Sequence, residues 1–222
     1  MTQYRAVLFD LDGTLLDTLS DIAAAANHVL VRHGAQPLPV ERYRDLVGDG
    51  VAKLFARALP GGADDDGLIA SCVGNFREAY GQTWNCQTKP YEGIMELLQT
   101  LDDNSVQTAV LSNKPHVFTQ QCINEFLGHH PFRCVLGQRD GVPRKPDPAS
   151  ALEIANQLGI SFQNSVYVGD TCTDMQTAQA TGMLAVGVTW GFRPRQELVE
   201  HGAQQIIEHP LELLKLLEIE LS

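Results

Sequence analysis

The sequence predicts an α/β protein, a parallel β-sheet core with an all-helical domain inserted after its first strand. Short, continuous apolar runs recur along the chain and alternate with segments of helical period, as in sheets whose strands are buried on both faces. Between residues 17 and 88, by contrast, no run is typical of a strand, and three helical patterns follow one another. The helical region therefore interrupts the alternation rather than belonging to it.

The core is predicted to be Rossmann-like, because strand–helix alternation is typical of βαβ units with right-handed crossovers. Its first strand is the run Ala6–Phe9. The other predicted strands are Val106–Leu111, Phe132–Leu136, Ser165–Val168, Leu184–Val188 and the weaker run Gln205–Ile207. Helices are predicted between them at Val117–Leu127, Ala149–Leu158 and Asp174–Ala180.

The inserted domain is predicted to cover residues 17–88, so that residues 1–16 and 89–222 form the core. Its helical patterns are Ser20–Val31, Tyr43–Leu59 and Gly67–Thr83. Glycines and a proline follow these patterns in the manner of helix ends. The stretch Val47-Gly48-Asp49-Gly50 is predicted to be a loop of this domain.

Composition limits the function. The chain has 222 residues and a net charge of −11, and 44% of its residues are hydrophobic, which is ordinary for a folded protein. The acidity argues against nucleic-acid binding, which needs clustered lysine and arginine. No stretch approaches the length of a membrane span. The five cysteines are odd in number and scattered, without CxxC spacing, so we expect a reduced chain in the cytoplasm.

Two carboxylates follow the first predicted strand. Residues Asp10 and Asp12 stand two apart, so in an extended chain both side chains point the same way, and Gly13 then permits a sharp turn. Asp and Gly are also common turn residues, which is the simpler explanation. However, ligands of open α/β sheets bind beyond the carboxyl ends of the strands, where this pair lies. We therefore interpret the pair as functional.

A second acidic pair follows the strand predicted to end at Val168. Asp170 lies just past the strand end and Asp174 lies four residues later, although Asp170 alone would also suit a helix N-cap. Carboxylates gathered at one sheet edge with Asp10 and Asp12 would repel one another unless a cation lay between them. Because oxygen ligands suit a hard ion, the predicted cofactor is Mg²⁺.

Three further polar residues lie near strand ends or in loops. Ser112 and Asn113 follow the strand ending at Leu111, where a helix N-cap is the alternative explanation. Lys145 precedes a proline, which biases it toward an extended conformation, and it is either a solvated charge or a fixed counter-charge. Together with the carboxylates, these side chains suit phosphoryl transfer, which depends on positioning and on neutralising charge.

The motifs, taken in order, resemble those of the haloacid dehalogenase superfamily, in particular its phosphatases with a helical cap after the first strand. The matching motifs are DLDGT at Asp10–Thr14, LSN ending at Asn113, KPDP beginning at Lys145, and GDTCTD at Gly169–Asp174. The ordered set covers essentially the whole chain. The resemblance implies a HAD-like core and a cap domain.

The resemblance also implies roles for the site residues. Asp10 is the nucleophile, which takes the phosphoryl group as an aspartyl phosphate, and Asp12 is the general acid and base. Mg²⁺ is held by Asp10, Asp170 and the main-chain carbonyl of Asp12, and Asp174 supports it. The transferring phosphoryl group is bound by Ser112 and Lys145 with help from Asn113.

The substrate is predicted to be a small phosphorylated metabolite. Stretches 15–30, 46–59 and 182–192 resemble phosphoglycolate phosphatases most, so 2-phosphoglycolate is the first candidate. Asp49 and Lys53 in the cap are candidate specificity residues, and Lys53 is otherwise a solvated charge. The alternatives are a phosphatase for a sugar phosphate, nucleotide or pyrophosphate, a β-phosphoglucomutase-type phosphotransferase, or a catalytically silent phosphate-binding regulator. A monomer or a homodimer is expected.

Overall fold

The computed structural model describes residues 4–61 and 65–220. Within these residues the chain divides into two compact units, with boundaries between Leu16 and Asp17 and between Lys89 and Pro90. The first unit holds the large β-sheet, and the second is helical. None of the helices in the described ranges combines the length and the apolar character that crossing a membrane requires.

The strands are β1 (Ala6–Phe9), β2 (Leu16–Asp17), β3 (Lys89–Pro90), β4 (Gln107–Pro115), β5 (Cys134–Gln138), β6 (Ser165–Gly169), β7 (Leu184–Val188) and β8 (Gln205–Ile207). Six of them form one sheet in the order β5-β4-β1-β6-β7-β8, and the pairs along it are parallel. β2 and β3 pair separately, where the chain leaves the first unit and returns to it. The predicted Rossmann-like α/β fold is confirmed.

The helices are α1 (Leu19–Arg32), α2 (Tyr43–Leu46), α3 (Val51–Ala58), α4 (Asp66–Thr83), α5 (Ile94–Asp103), α6 (His116–Phe126), α7 (Ala149–Leu158), α8 (Cys172–Thr181), α9 (Arg195–Glu200) and α10 (Glu212–Leu216). The first four belong to the helical unit and the others to the sheet unit. Three of those in the sheet unit, α5, α9 and α10, were not predicted from the sequence.

Strand β1 lies at the centre of the sheet, and all four of its residues are buried, as its continuous apolar run predicts. Its last residue, Phe9, is opposite Val110 of β4 on one side and Val168 of β6 on the other. The three strands therefore end at the same edge of the sheet. Residues that follow them are brought together there, although they are far apart in the sequence.

The helical unit packs α1 against α4 and α3 against α4. Phe76 of α4 stacks on Tyr80, with ring centroids 5.3 Å apart, and meets the edge of Phe55 of α3 at 6.0 Å. The buried carboxylate of Asp21 accepts hydrogen bonds from the main-chain N–H groups of Gln87 and Thr88 and from the Thr88 hydroxyl. These bonds attach the end of the unit to the beginning of α1.

Three predicted elements were wrong in their bounds. The pattern Tyr43–Leu59 is two helices, α2 and α3, because Gly48 and Gly50 adopt φ values of +116° and +89°, which no helix contains. Strand β4 continues four residues past the predicted end at Leu111, with a shift in its pairing to β5 between Leu111 and Pro115. The predicted strand Phe132–Leu136 begins and ends two residues later, as β5.

Candidate active site

Asp10 and Asp12 follow β1 at the carboxyl edge of the sheet, and both are buried. The main-chain N–H of Asp10 donates to the carbonyl of Val168 at 2.9 Å, so the hydrogen bonding between β1 and β6 continues to Asp10. The chain then turns at Gly13, whose φ of +83° favours glycine. A side chain there would also lie 2.3 Å from the Asp170 carboxylate. Glycine is therefore needed both for the turn and for the close approach of Asp170.

Asp170 follows β6, and both of its carboxylate oxygens are held. The hydroxyl of Thr14 donates to Oδ1 at 3.2 Å, and the main-chain N–H of Phe192 donates to Oδ2 at 2.7 Å. Thr14 is fixed in turn, since the indole N–H of Trp190 donates to its carbonyl at 3.0 Å. Asp170 itself is fully buried, and its orientation is set by residues of two loops, the one after β1 and the one after β7.

The N-cap of α8 is Thr171, not Asp170 as the alternative explanation had it. Asp174 completes a capping box with Thr171: its Oδ2 accepts from the Thr171 main-chain N–H at 3.0 Å and from the hydroxyl at 2.6 Å. The same carboxylate reaches Lys145 through Oδ1, at 2.7 Å. Asp174 therefore links the beginning of α8 to the lysine of the site.

Lys145 is a buried counter-charge rather than a solvated lysine. Its Nζ lies 3.0 Å from Asp10 Oδ1 and 2.7 Å from Asp174 Oδ1, and it donates to the carbonyl of Leu111 at 3.0 Å. Burial lowers the pKa of this ammonium, but the carboxylates of Asp10 and Asp174 outweigh burial and raise it well above its usual value. Lys145 is therefore held in the charged form.

Asn113 holds the main chain of Lys145 at two points. Its Oδ1 accepts from the Lys145 N–H at 3.0 Å, and its Nδ2 donates to the Lys145 carbonyl at 3.2 Å. Asn113 and Ser112 lie inside β4, and neither side chain caps α6, whose N-cap is Pro115 without a side-chain hydrogen bond. The alternative N-cap explanation is therefore wrong.

Lys114 is a functional candidate that the sequence reasoning missed. Its Nζ donates to both oxygens of the Asp12 carboxylate, at 2.9 Å and 3.3 Å, and both side chains are buried. The signal was a lysine directly after the predicted pair Ser112 and Asn113. The sequence does not show which carboxylate such a lysine would meet.

The carboxylates of the site repel one another. Burial raises the pKa of Asp10 to about 7, because Lys145 offsets only part of that effect and Asp174 and Asp12 add to it. Burial likewise raises the pKa of Asp170 well above its usual value, and Asp174 and Asp10 raise it further. A cation among these groups would relieve both effects.

The residues present fit a divalent metal ion. Oxygens from Asp10, Asp170 and Asp174 lie within 4.8 Å of one another. Among the described residues, Asp10 Oδ1 has its ion pair with Lys145 but no hydrogen bond of good geometry, so it can accept another ligand. Four buried carboxylates face two buried lysines here, and a divalent ion would reduce the remaining repulsion among the carboxylates.

The two candidate specificity residues lie in the helical unit. Asp49 precedes α3 and forms an ion pair with Arg57, which lies near the end of that helix. Lys53 lies on α3 and is exposed. Asp49 thus has a cationic neighbour on its own unit, which reduces the negative charge that the loop presents.

Replacing Asn113 with Asp should lower kcat/KM roughly 10- to 100-fold, because small displacements of catalytic groups have effects of this size. The substitution keeps the acceptor for the Lys145 N–H but puts an oxygen against the Lys145 carbonyl. The measurement is hydrolysis of p-nitrophenyl phosphate, the type of activity that the motifs imply. The matched control is Asn104→Asp, at an exposed site where the amide also donates to a carbonyl, that of Thr100. An Asn113→Asp enzyme as active as this control would contradict the positioning of Lys145 by Asn113.

A parallel α/β sheet with buried carboxylates and a buried lysine at its carboxyl edge suits a hydrolase of phosphoryl-transfer type. The profile of the haloacid dehalogenase-like hydrolases matches residues 7–188, and the chain belongs to this family. Within the family it is a phosphatase. The resemblance inferred from the motifs is therefore confirmed.

Several relatives are phosphatases by name. The chain is 36% identical over 192 residues to a phosphoglycolate phosphatase of Pseudomonas putida, covering 85% of this chain and 70% of that protein. It is 33% identical over 216 residues to the N-acetylmuramic acid 6-phosphate phosphatase of Pseudomonas aeruginosa, covering 96% and 95%. A crystal structure from Lactobacillus delbrueckii subsp. bulgaricus, provisionally assigned as a phosphoglycolate phosphatase, is 32% identical with a TM-score of 0.87, covering 98% and 99%.

Proposed function

We propose that the protein is a Mg²⁺-dependent phosphomonoesterase that acts on a small phosphorylated metabolite through an aspartyl phosphate at Asp10. The observation that carries the proposal is the buried cluster in which Lys145 lies between Asp10 and Asp174, with Asp170 close by. This arrangement offers a nucleophile, a cation for the phosphoryl oxygens and a site for a metal ion. These are the groups that phosphoryl transfer requires.

In the first step, a carboxylate oxygen of Asp10 attacks phosphorus, the bond from phosphorus to the leaving oxygen breaks, and Asp12 gives that oxygen a proton. In the second step, water attacks phosphorus, the bond to Asp10 breaks, and Asp12 takes the proton that water loses. Asp10 and Asp12 thus return to their starting states. Splitting the hydrolysis in this way replaces one difficult step with two easier ones.

The remaining residues bind and orient. Lys145 would contact the phosphoryl oxygens and Ser112 would donate its hydroxyl to them, while Asn113 holds the Lys145 main chain. Mg²⁺, held by Asp10, Asp170 and the Asp12 carbonyl with support from Asp174, would neutralise phosphoryl charge and align the reacting group. A location in the cytoplasm and a monomeric or dimeric state stay predictions.

The first candidate substrate is 2-phosphoglycolate, on the basis of relatives named phosphoglycolate phosphatase. A sugar phosphate is the second candidate. The relative named for N-acetylmuramic acid 6-phosphate aligns over nearly its full length, whereas the first three relatives named for phosphoglycolate align over 70–78% of theirs. The contacts of the pocket decide between such leaving groups, and Asp49 and Lys53 are the proposed residues.

A comparison of kcat/KM on the two candidate substrates tests the assignment. We expect 2-phosphoglycolate to be preferred by roughly 10-fold or more, since specific polar contacts to a leaving group discriminate at least this strongly. Asp49→Asn and Lys53→Ala should change this ratio more than they change hydrolysis of p-nitrophenyl phosphate. Preference for N-acetylmuramic acid 6-phosphate would replace the first candidate with the second. Equal effects on every substrate would contradict the specificity role of the two residues.

A further inference from the structure

The side chain of Lys114 comes from a main chain that is fixed on several sides. Its N–H donates to Ser112 Oγ at 3.3 Å, and its carbonyl accepts from the Thr119 hydroxyl at 3.2 Å. Gly137 of the neighbouring strand approaches so closely that a side chain there would lie 2.6 Å from that carbonyl. The base of the Lys114 side chain is therefore held in one place by β4, α6 and β5.

The ammonium of Lys114 spans both oxygens of Asp12, at 2.9 Å and 3.3 Å. A pair of contacts to both oxygens restrains the rotation of the carboxylate plane, which one contact would leave free. The Lys114 side chain is 4% exposed and that of Asp12 is 11% exposed. The lysine is therefore the more deeply buried partner, and it is the Asp12 side chain that is more accessible to solvent. A carboxylate can accept about four hydrogen bonds, so two positions on Asp12 remain for a reacting group.

We propose that Lys114 is a positioning residue that acts through Asp12, holding its carboxylate toward the oxygen that gains or loses a proton. The proposal rests on the proposed function, in which Asp12 serves both steps of the reaction. Lys114 thus differs from Lys145, whose ammonium faces the nucleophile Asp10. The two buried lysines of the site have separate tasks.

The two steps separate when the leaving group needs no proton. The p-nitrophenolate ion leaves without one, so with p-nitrophenyl phosphate the first step does not need the Asp12 proton. That proton passes to solvent, and the second step still needs the Asp12 carboxylate to take the proton that water loses. Lys114→Met should therefore release the first equivalent of p-nitrophenolate at a rate within about 3-fold of wild type. Its steady-state rate should be about 10- to 100-fold lower, which is less than the full 10²- to 10⁴-fold contribution of general acid–base catalysis because Asp12 itself remains. Stopped-flow absorbance measures both rates.

With an alkyl phosphate as substrate, the first step needs the proton as well. Single-turnover formation of the phosphoenzyme should then fall by about the same 10- to 100-fold factor in Lys114→Met. The control is Lys215→Met, at an exposed lysine on α10, which should match wild type in every assay. If Lys114→Met does not fold, Lys114→Gln keeps an N–H donor near Asp12 and undergoes the same measurements.

A double-mutant cycle with Asp12→Asn tests whether Lys114 acts through Asp12. In the Asp12→Asn enzyme, adding Lys114→Met should change the steady-state rate by less than about 2-fold, because residues that act as one unit are not additive. A full-sized effect of Lys114→Met in that background would overturn the proposal. So would an equal loss in the p-nitrophenolate burst and in the steady state, which would mean that the lysine acts on the phosphoryl group or the fold.

A different result would contradict the proposed function itself. An Asp12→Asn enzyme that keeps the wild-type steady-state rate would remove the acid–base role of Asp12, and the Lys114 proposal with it. A strongly impaired Asp12→Asn enzyme with an additive Lys114→Met effect would overturn only the Lys114 proposal. The two failures are thus distinguishable in one set of four enzymes.

Discussion

Asp10→Asn should abolish turnover of phosphate esters while the protein remains folded. The amide is nearly the same size as the carboxylate but is a poor nucleophile, so no aspartyl phosphate forms. We expect kcat on p-nitrophenyl phosphate to fall by roughly 10⁴-fold or more, as when other nucleophiles are removed. Peptide mass spectrometry after rapid acid quench should detect a phosphorylated Asp10 in the wild type during turnover and none in the variant.

Loss of activity through misfolding is not expected for this variant. Burial and the neighbouring carboxylates raise the pKa of Asp10, so its charge is unfavourable in the metal-free protein, and Asn removes that charge. Lys145 keeps its partner Asp174. Thermal unfolding without metal should therefore give a midpoint no lower than that of wild type. Asp140→Asn, at an exposed carboxylate after β5, is the matched control and should retain full activity. An active Asp10→Asn enzyme would refute the mechanism.

Asp170→Asn should weaken Mg²⁺ binding by roughly 100-fold or more, because even residues that only orient metal ligands contribute 10- to 100-fold. Asp170 is fully buried, and both its oxygens are oriented, by the Thr14 hydroxyl and the Phe192 N–H. The amide offers one oxygen without a charge, and its N–H₂ group must face one of these two donors. Isothermal titration calorimetry with Mg²⁺ measures the affinity directly, independently of turnover.

Enzyme activity should depend on Mg²⁺ in a parallel assay of turnover. Chelation of divalent ions should stop the wild-type enzyme, and added Mg²⁺ should restore it; Asp170→Asn should need far more Mg²⁺. The control is Asp103→Asn, at an exposed carboxylate that accepts a bond from Gln99, and it should bind Mg²⁺ as the wild type does. Wild-type turnover that persists after chelation would contradict a metal-dependent reaction. Unchanged Mg²⁺ affinity in Asp170→Asn would remove Asp170 from the metal site.

The two lysines explain how so many carboxylates are accommodated in a buried site. Lys145 lies between Asp10 and Asp174, and Lys114 holds Asp12, so each ammonium reduces the repulsion among particular carboxylates. The remaining excess of negative charge suits a divalent ion, and a phosphate ester would then meet a site whose charge is nearly balanced. Exposed ion pairs contribute little to stability. Burial makes these contacts both costly to break and useful for catalysis.

Local patterns in the sequence were sufficient for the sheet. Continuous apolar runs identify buried strands because a strand covered on both faces has no polar side, and this applies to β1, β6 and β7. Helical periodicity failed at Tyr43–Leu59, which it read as one pattern, although the loop predicted at residues 47–50 separates α2 from α3. The search for apolar runs missed the end of β4, because Ser112, Asn113 and Lys114 are polar although they continue the strand.

The ordered motifs also indicated the chemistry, because the types of residue that follow successive strands are visible in the sequence and parallel strands end at one edge of their sheet. Which side chains meet there was decided only by the tertiary structure. Lys114 contacts Asp12, and Lys145 contacts Asp10 and Asp174. The side-chain amide of Asn113 forms hydrogen bonds with the main chain of Lys145. The partners lie far apart in the sequence: Lys145 and Asp174 are separated by 29 positions, and Asp10 and Lys145 by 135. Contacts at such separations depend on how β1, β4 and β6 align and on where the loop carrying Lys145 packs, and neither spacing nor periodicity encodes that geometry.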